Sequence, residues 1–111
     1  MLMRTEVEHK AKKGVVRVSI LAEQIDPLDT LQINQINITG DFFFHPEEKL
    51  EKLESILNGL KFPKTDSSEI LVNIEQKIVA FYKTEGIISP GLRPCDFAKA
   101  LFKALESLRN K

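Results

Sequence analysis

The stretch Leu31-Gln32-Ile33-Asn34-Gln35-Ile36-Asn37-Ile38-Thr39-Gly40-Asp41-Phe42-Phe43-Phe44-His45-Pro46 decides how this chain folds. Leu31 and Ile33 are separated by one polar residue, and so are Ile36 and Ile38, but the parity switches at Asn34-Gln35. Successive side chains of a strand point to opposite faces. The switch therefore predicts either a β-bulge, which inserts one residue and restores the face, or a strand that starts only near Gln35. Gly40-Asp41 ends the strand. Three consecutive Phe residues cannot share one face. The expected arrangement has one Phe in the core, one covering the start of the next helix as a hydrophobic staple, and one partly exposed. An exposed aromatic is a favoured anchor for a partner protein, so the run is also a candidate interface.

Upstream, Val15-Val16-Arg17-Val18-Ser19-Ile20-Leu21 is rich in β-branched residues and reads as a strand. Thr5 to Ala11 alternates weakly, and Lys12-Lys13-Gly14 between the two reads as the turn of a hairpin. Residues 23–30, with Asp26-Pro27 and Asp29-Thr30, read as a loop. Downstream, Pro46 suits the first position of a helix, and Glu47 and Glu48 suit its positive end. Leu50, Leu53, Leu57 and Leu60 recur at helical spacing, and Gly59 and Pro63 bracket the end.

Asp66-Ser67-Ser68-Glu69 resembles a capping box for a second helix with Leu71, Ile74, Ile78, Phe81 and Tyr82 on one face and Gly86 as its stop. Pro94 opens a third, with Phe97, Leu101, Ala104, Leu105 and Leu108 facing inward. Strands first and helices after predict an α+β fold, a three-stranded antiparallel sheet with about three helices on one face. At 111 residues the chain fits a single domain spanning 1–111.

No apolar run approaches the ~20 residues of a membrane helix. The N-terminus does not read as a secretory leader, and a single cysteine excludes an intramolecular disulfide, so a cytoplasmic protein without a membrane partner is expected. Zero net charge argues against a general nucleic-acid binder. The charge is unevenly spread: residues 1–20 hold five Lys/Arg against two Glu, and residues 21–60 hold two Lys against eight Asp/Glu. The basic first segment is either solvated surface or a surface that approaches a phosphate or an acidic partner.

Little in the chain promises covalent chemistry. Neither His9 nor His45 has a second ligand at metal-binding spacing. His9 is expected to be exposed on an edge strand, and His45 to serve the helix entry. Cys95 lies at a helix start, which favours a reactive thiolate, yet no base or orienting group accompanies it. The five glycines form neither a P-loop nor a dinucleotide fingerprint. No catalytic residue and no metal ligand is assigned.

Four segments in order resemble the C-terminal accessory domain of lipoate–protein ligases, especially its stand-alone form. They are Lys13-Gly14-Val15-Val16-Arg17-Val18, Ile36 to Phe43, Pro46-Glu47-Glu48 with Leu50, Leu53 and Leu57, and Pro94 to Leu101. The likeness spans roughly residues 5–108. The loop at 22–31 and the segment 61–69 depart from it.

The resemblance implies a non-catalytic subunit that serves a separate ligase. Such ligases activate lipoate with ATP and Mg²⁺ to lipoyl-AMP and transfer the lipoyl group to a lysine of an acceptor domain. ATP, Mg²⁺ and lipoate are then expected in the catalytic subunit and not on this chain alone, with lipoyl-acceptor domains as indirect partners. It also implies a SufE/NifU-like arrangement, shared with sulfur-transfer and metal-cluster scaffolds. Two candidate surfaces follow: Asp41, Phe42, Phe43 and Phe44 against the catalytic subunit, and the hairpin tip Lys10, Lys12, Lys13 and Gly14 near its adenylation site. The rival readings are a generic protein-interaction module and a sulfur or metal-cluster scaffold, the latter poorly matched by a lone Cys95.

Overall fold

The computed structural model describes residues 2–25, 30–62 and 67–109. Strands β1 (Leu2–Ala11), β2 (Gly14–Ile25) and β3 (Thr30–Asp41) are followed by helix α1 (Lys49–Leu57) and a short strand β4 (Lys61–Phe62). Helices α2 (Ser67–Glu85) and α3 (Pro94–Arg109) complete the chain. The sheet is antiparallel in the order β1-β2-β3-β4.

The parity switch in β3 is a bulge. Leu21 pairs with Gln35 and Ala22 with Ile33, so Asn34 is the inserted residue. It lets Leu31, Ile33, Ile36 and Ile38 all face the core, on the same side of the sheet as Val16, Val18, Ile20 and Ala22 of β2. The other sheet face carries Arg4, Glu6, Glu8, Lys10 and Arg17 exposed, as an antiparallel sheet wet on one side allows. An Arg17–Glu8 ion pair at 3.2 Å bridges β1 and β2 there.

Helix α3 lies against β1 and β2 and runs antiparallel to β1. Thr5 meets Ser107 at 3.2 Å, and His9 meets Asp96 at 3.0 Å. Four strand residues cover about 13 Å and eleven helix residues about 16 Å, so strand and helix stay in register between these two ties. Phe97, Leu101, Ala104, Leu105 and Leu108 of α3 are buried, as their spacing predicts, and so are Ala98 and Ala100. Helix α1 packs on β3, and α2 closes the layer against α3 and α1 through Ile70, Ile74, Ile78 and Phe81.

Several expectations are corrected. The sheet has four strands, not three. Gly59 N–H donates to Ile33 C=O (2.7 Å) and Ile33 N–H to Leu60 C=O (2.9 Å), which draws Lys61 and Phe62 onto β3. A two-residue strand has no periodicity to read.

Residues 23–25 and Thr30 belong to strands and not to the expected loop, because Gln24–Leu31 and Ile25–Thr30 continue the ladder. Pro46 does not open the helix. Lys49 N–H bonds Pro46 C=O and Leu50 N–H bonds Glu47 C=O, both at 3.1 Å, so a three-residue-spaced turn precedes α1. The His45–Pro46 peptide is cis. Helix α1 stops at Leu57, where Asn58 turns extended, and Leu60 lies beyond it. The loop residues 26–29, Pro63 and the Asp66 cap lie outside the described residues.

Candidate functional site

The candidate surfaces sit at one end of the molecule, where β3 runs into the Phe run and the β1–β2 turn meets the segment between α2 and α3. The three Phe residues divide as alternation demands. Phe44 is buried, with its ring edge-on to Phe97 (5.9 Å) and Tyr82 (6.2 Å). Phe42 is half-buried and edge-on to Phe97 at 5.6 Å. Phe43 is 54% exposed and stacks on the His45 ring at 6.3 Å and 16°. Phe42 and Phe44 thus form an aromatic cluster around Phe97, and the Phe run also lines a groove with Glu47 and Leu50 at the entry to α1.

Of the proposed interface, Asp41 and Phe43 therefore face outward, while Phe42 and Phe44 are largely internal. Ile88, 58% exposed, joins the outward set. Its N–H and C=O bond those of His45 at 2.8 and 2.9 Å, so the two side chains stand on the same side of this bridge. The position of Ile88 beside His45 arises from a contact 43 residues apart in the chain, which no local pattern reports. A groove of about 540 Å³ lies along this end, lined by Ile38, Gly40, the three Phe residues and Leu50.

At the hairpin tip Gly14 has φ 152°, and a Cβ there would stand 2.5 Å from the Asp41 carbonyl oxygen. Gly14 is thus a place where two backbones approach, and it joins the tip to Asp41. Lys10, Lys12 and Lys13 are exposed. The tip is pinned, because Lys13 N–H donates to Gly91 C=O at 3.1 Å. Gly91 (φ 79°) accepts this approach only without a side chain, since a Cβ would come within 2.4 Å of the Lys13 Cβ. Lys12, Gly91 and Arg93 line a cavity of about 350 Å³ between turn and segment.

The segment is itself braced. Ser89 Oγ donates to Leu92 C=O and meets Tyr82 Oη, both at 2.7 Å. A hydroxyl has one proton, so Tyr82 donates to Ser89. Burial, the largest influence, raises the Tyr82 pKa above its ordinary value.

His9 is not exposed as expected. It lies mostly covered under α3, bonded to Asp96, whose other oxygen accepts Arg93 N–H at 2.7 Å and caps the helix. Cys95 is half-buried in the first turn of α3. Among the described residues no group of three or more His, Cys, Asp or Glu could hold a metal ion. No helix among them is long and apolar enough to cross a membrane. The site presents exposed apolar and cationic groups on a braced frame, which suits recognition.

Comparison with known proteins agrees with this frame. Residues 3–89 match the model of the bacterial lipoate protein ligase C-terminus. Lipoate-protein ligase A subunit 2 of Thermoplasma acidophilum is 36% identical over 92 residues, which is 83% of this chain and 81% of that protein. A chain from the solved archaeal lipoylation system of the same organism, described as a bi-partite lipoate protein ligase and its E2 lipoyl domain, matches with a TM-score of 0.70. That match has 35% identity and covers 91% of this chain and 97% of that one. A shared antiparallel sheet with three helices, and a match over most of the length, place this chain in the lipoate protein ligase C-terminal family.

Proposed function

We propose that this chain is the non-catalytic second subunit of a two-part lipoate–protein ligase. It docks on a separate catalytic subunit and makes that subunit competent to activate lipoate with ATP to lipoyl-AMP. The observation that carries the reading is the match over 97% of a separate chain described with a bi-partite ligase. ATP, Mg²⁺ and lipoate belong to the catalytic subunit in this reading, and lipoyl-acceptor domains are met through it. The work is cytoplasmic. The SufE/NifU-like layout is part of the same reading and concerns architecture only, because Cys95 is half-buried and accompanied by no second cysteine.

The docking face is the outward set Asp41, Phe43 and Ile88 around His45, with Phe42 and Phe44 supporting it from inside. Aromatic side chains bury large area with little rotamer freedom to lose, which suits an anchor. The hairpin tip, Lys10, Lys12, Lys13 and Gly14, reaches toward the adenylation site.

Reconstitution tests the whole reading. Lipoate-dependent pyrophosphate release is expected from the mixed subunits and from neither alone. A catalytic subunit that is equally active without this chain removes the proposal. Lys13→Ala in the same assay tests the tip, and an unchanged rate removes that part.

A further inference from the structure

We propose that the cleft between the β1–β2 turn and the segment 89–93 binds a phosphate-bearing small anion, a pyrophosphate or the polyphosphate of a nucleotide. Its walls are Lys12, Gly91 and Arg93, with Lys13 packed on Gly91. Its volume of about 350 Å³ lies at the small end of ligand sites, which span roughly 300–1,000 Å³.

The cleft is built before any ligand arrives. The turn is fixed by the Lys13–Gly91 backbone bond, and the opposite wall by the Tyr82–Ser89–Leu92 chain of hydrogen bonds and by Leu92 N–H to Ser89 C=O at 3.0 Å. Preorganised walls reduce the ordering cost of binding.

The cations there are unneutralised. Among the described residues the charged ends of Lys10, Lys12, Lys13 and Arg93 have no ion-pair partner. The nearest carboxylate of α3, Asp96, is committed to His9 and to the Arg93 N–H. Asp41 is an acid whose backbone adjoins Gly14, set against the two cations of the cleft wall, Lys12 and Arg93. Lys12 and Arg93 line one concave place, where like charges repel one another and a multivalent anion relieves that repulsion. Arg supplies a planar fork that fits phosphate oxygens, and Lys supplies point charges. A concave site of this size suits a compact polyanion better than the surface of an acidic protein.

The binding chemistry stands on this geometry alone. A role in ATP-dependent activation rests on the accessory-subunit reading. The test titrates the isolated chain with inorganic pyrophosphate at constant ionic strength, followed by amide NMR. Saturable shifts centred on Lys12, Lys13, Gly91 and Arg93 are expected, with a Kd on the order of 1 mM.

The Lys12→Gln/Arg93→Gln double variant should keep its circular dichroism and weaken binding by roughly tenfold or more. Unsaturated shifts spread over all lysines, or binding that survives the double variant, overturn the proposal. So does a poly-glutamate peptide that shifts the same amides at lower concentration than pyrophosphate, which assigns the cleft to a protein. In the reconstituted pair the double variant should raise the KM for ATP while kcat changes little. If the pair shows no stimulation even with the native chain, the accessory reading fails and the titration still decides the site.

Discussion

Tyr82 shows how a single proton orders a segment. Because Ser89 spends its hydroxyl proton on Leu92 C=O, the phenol must donate, and only its neutral form can do so. Burial raises the Tyr82 pKa in the folded state, so its contribution to stability is full below the unfolded value near 10 and is lost as pH rises through the folded one. As Tyr82 is the chain's single tyrosine, tyrosinate absorbance reads this titration directly, and its midpoint should drop on unfolding in urea. Tyr82→Phe should cost about 1 kcal/mol by denaturant unfolding at neutral pH, with the alkaline loss diminished.

Asp96 combines a helix cap with the His9 tie, and Asp96→Ala should cost about 2 kcal/mol in the same measurement. Glu85 works in the opposite sense to Tyr82. The hydrogen bond from Lys52, then that from Lys49, holds its carboxyl below the usual value of 4.5. Its contribution is present above that value and is lost as pH falls through the lower folded one. Glu85→Gln should therefore be less stable than the native chain at neutral pH and should converge with it in acid, as thermal melts across pH would show.

At the scale of elements, β3 depends on one inserted residue. Deleting Asn34 forces the strand to choose. Either Leu31 and Ile33 or Ile36 and Ile38 must turn to solvent, since a one-residue slip flips every side chain beyond it. Moving two fully buried aliphatic side chains into water costs roughly 3–6 kcal/mol, enough to unfold a small domain. The deletion variant should show collapsed amide dispersion; a native-like spectrum would show that the bulge is dispensable.

The outer edge of β3 is guarded by α1. Glu54 accepts Ile38 N–H at 2.6 Å, which occupies a donor that another chain's strand would otherwise use. Helix α1 thus both covers the core through Leu53 and Leu57 and shields the edge beside the groove.

For the whole molecule, the radius of gyration of 13.4 Å matches the ~13 Å expected of a compact chain this long. One continuous core joins sheet and helices, so the outward residues at the Phe43 end are free to serve recognition. Phe43→Ser should change stability by no more than about 0.5 kcal/mol, as at an exposed site. It should nevertheless weaken association with the catalytic subunit by roughly tenfold or more in a titration of the pair. An unchanged affinity would move the docking face elsewhere.

Local pattern determined a good deal by itself. The α+β order, the inward faces of α2 and α3, the turn at Gly14 and the parity switch at Asn34 all follow from periods of 2 and 3.6 and from the chemistry of Gly, Pro and β-branched residues. The division of the Phe run among core, support and surface followed in outline from alternation. Tertiary structure alone decided what meets across the chain. It recruited β4, covered His9 with α3, placed Ile88 beside His45, and brought Gly91 and Arg93 to the lysines of the hairpin. The physical reason is range. Backbone geometry and amphipathic period act over a few residues and are written in neighbouring letters. A cleft is made by segments almost 80 residues apart, whose approach is fixed only when the core between them is packed.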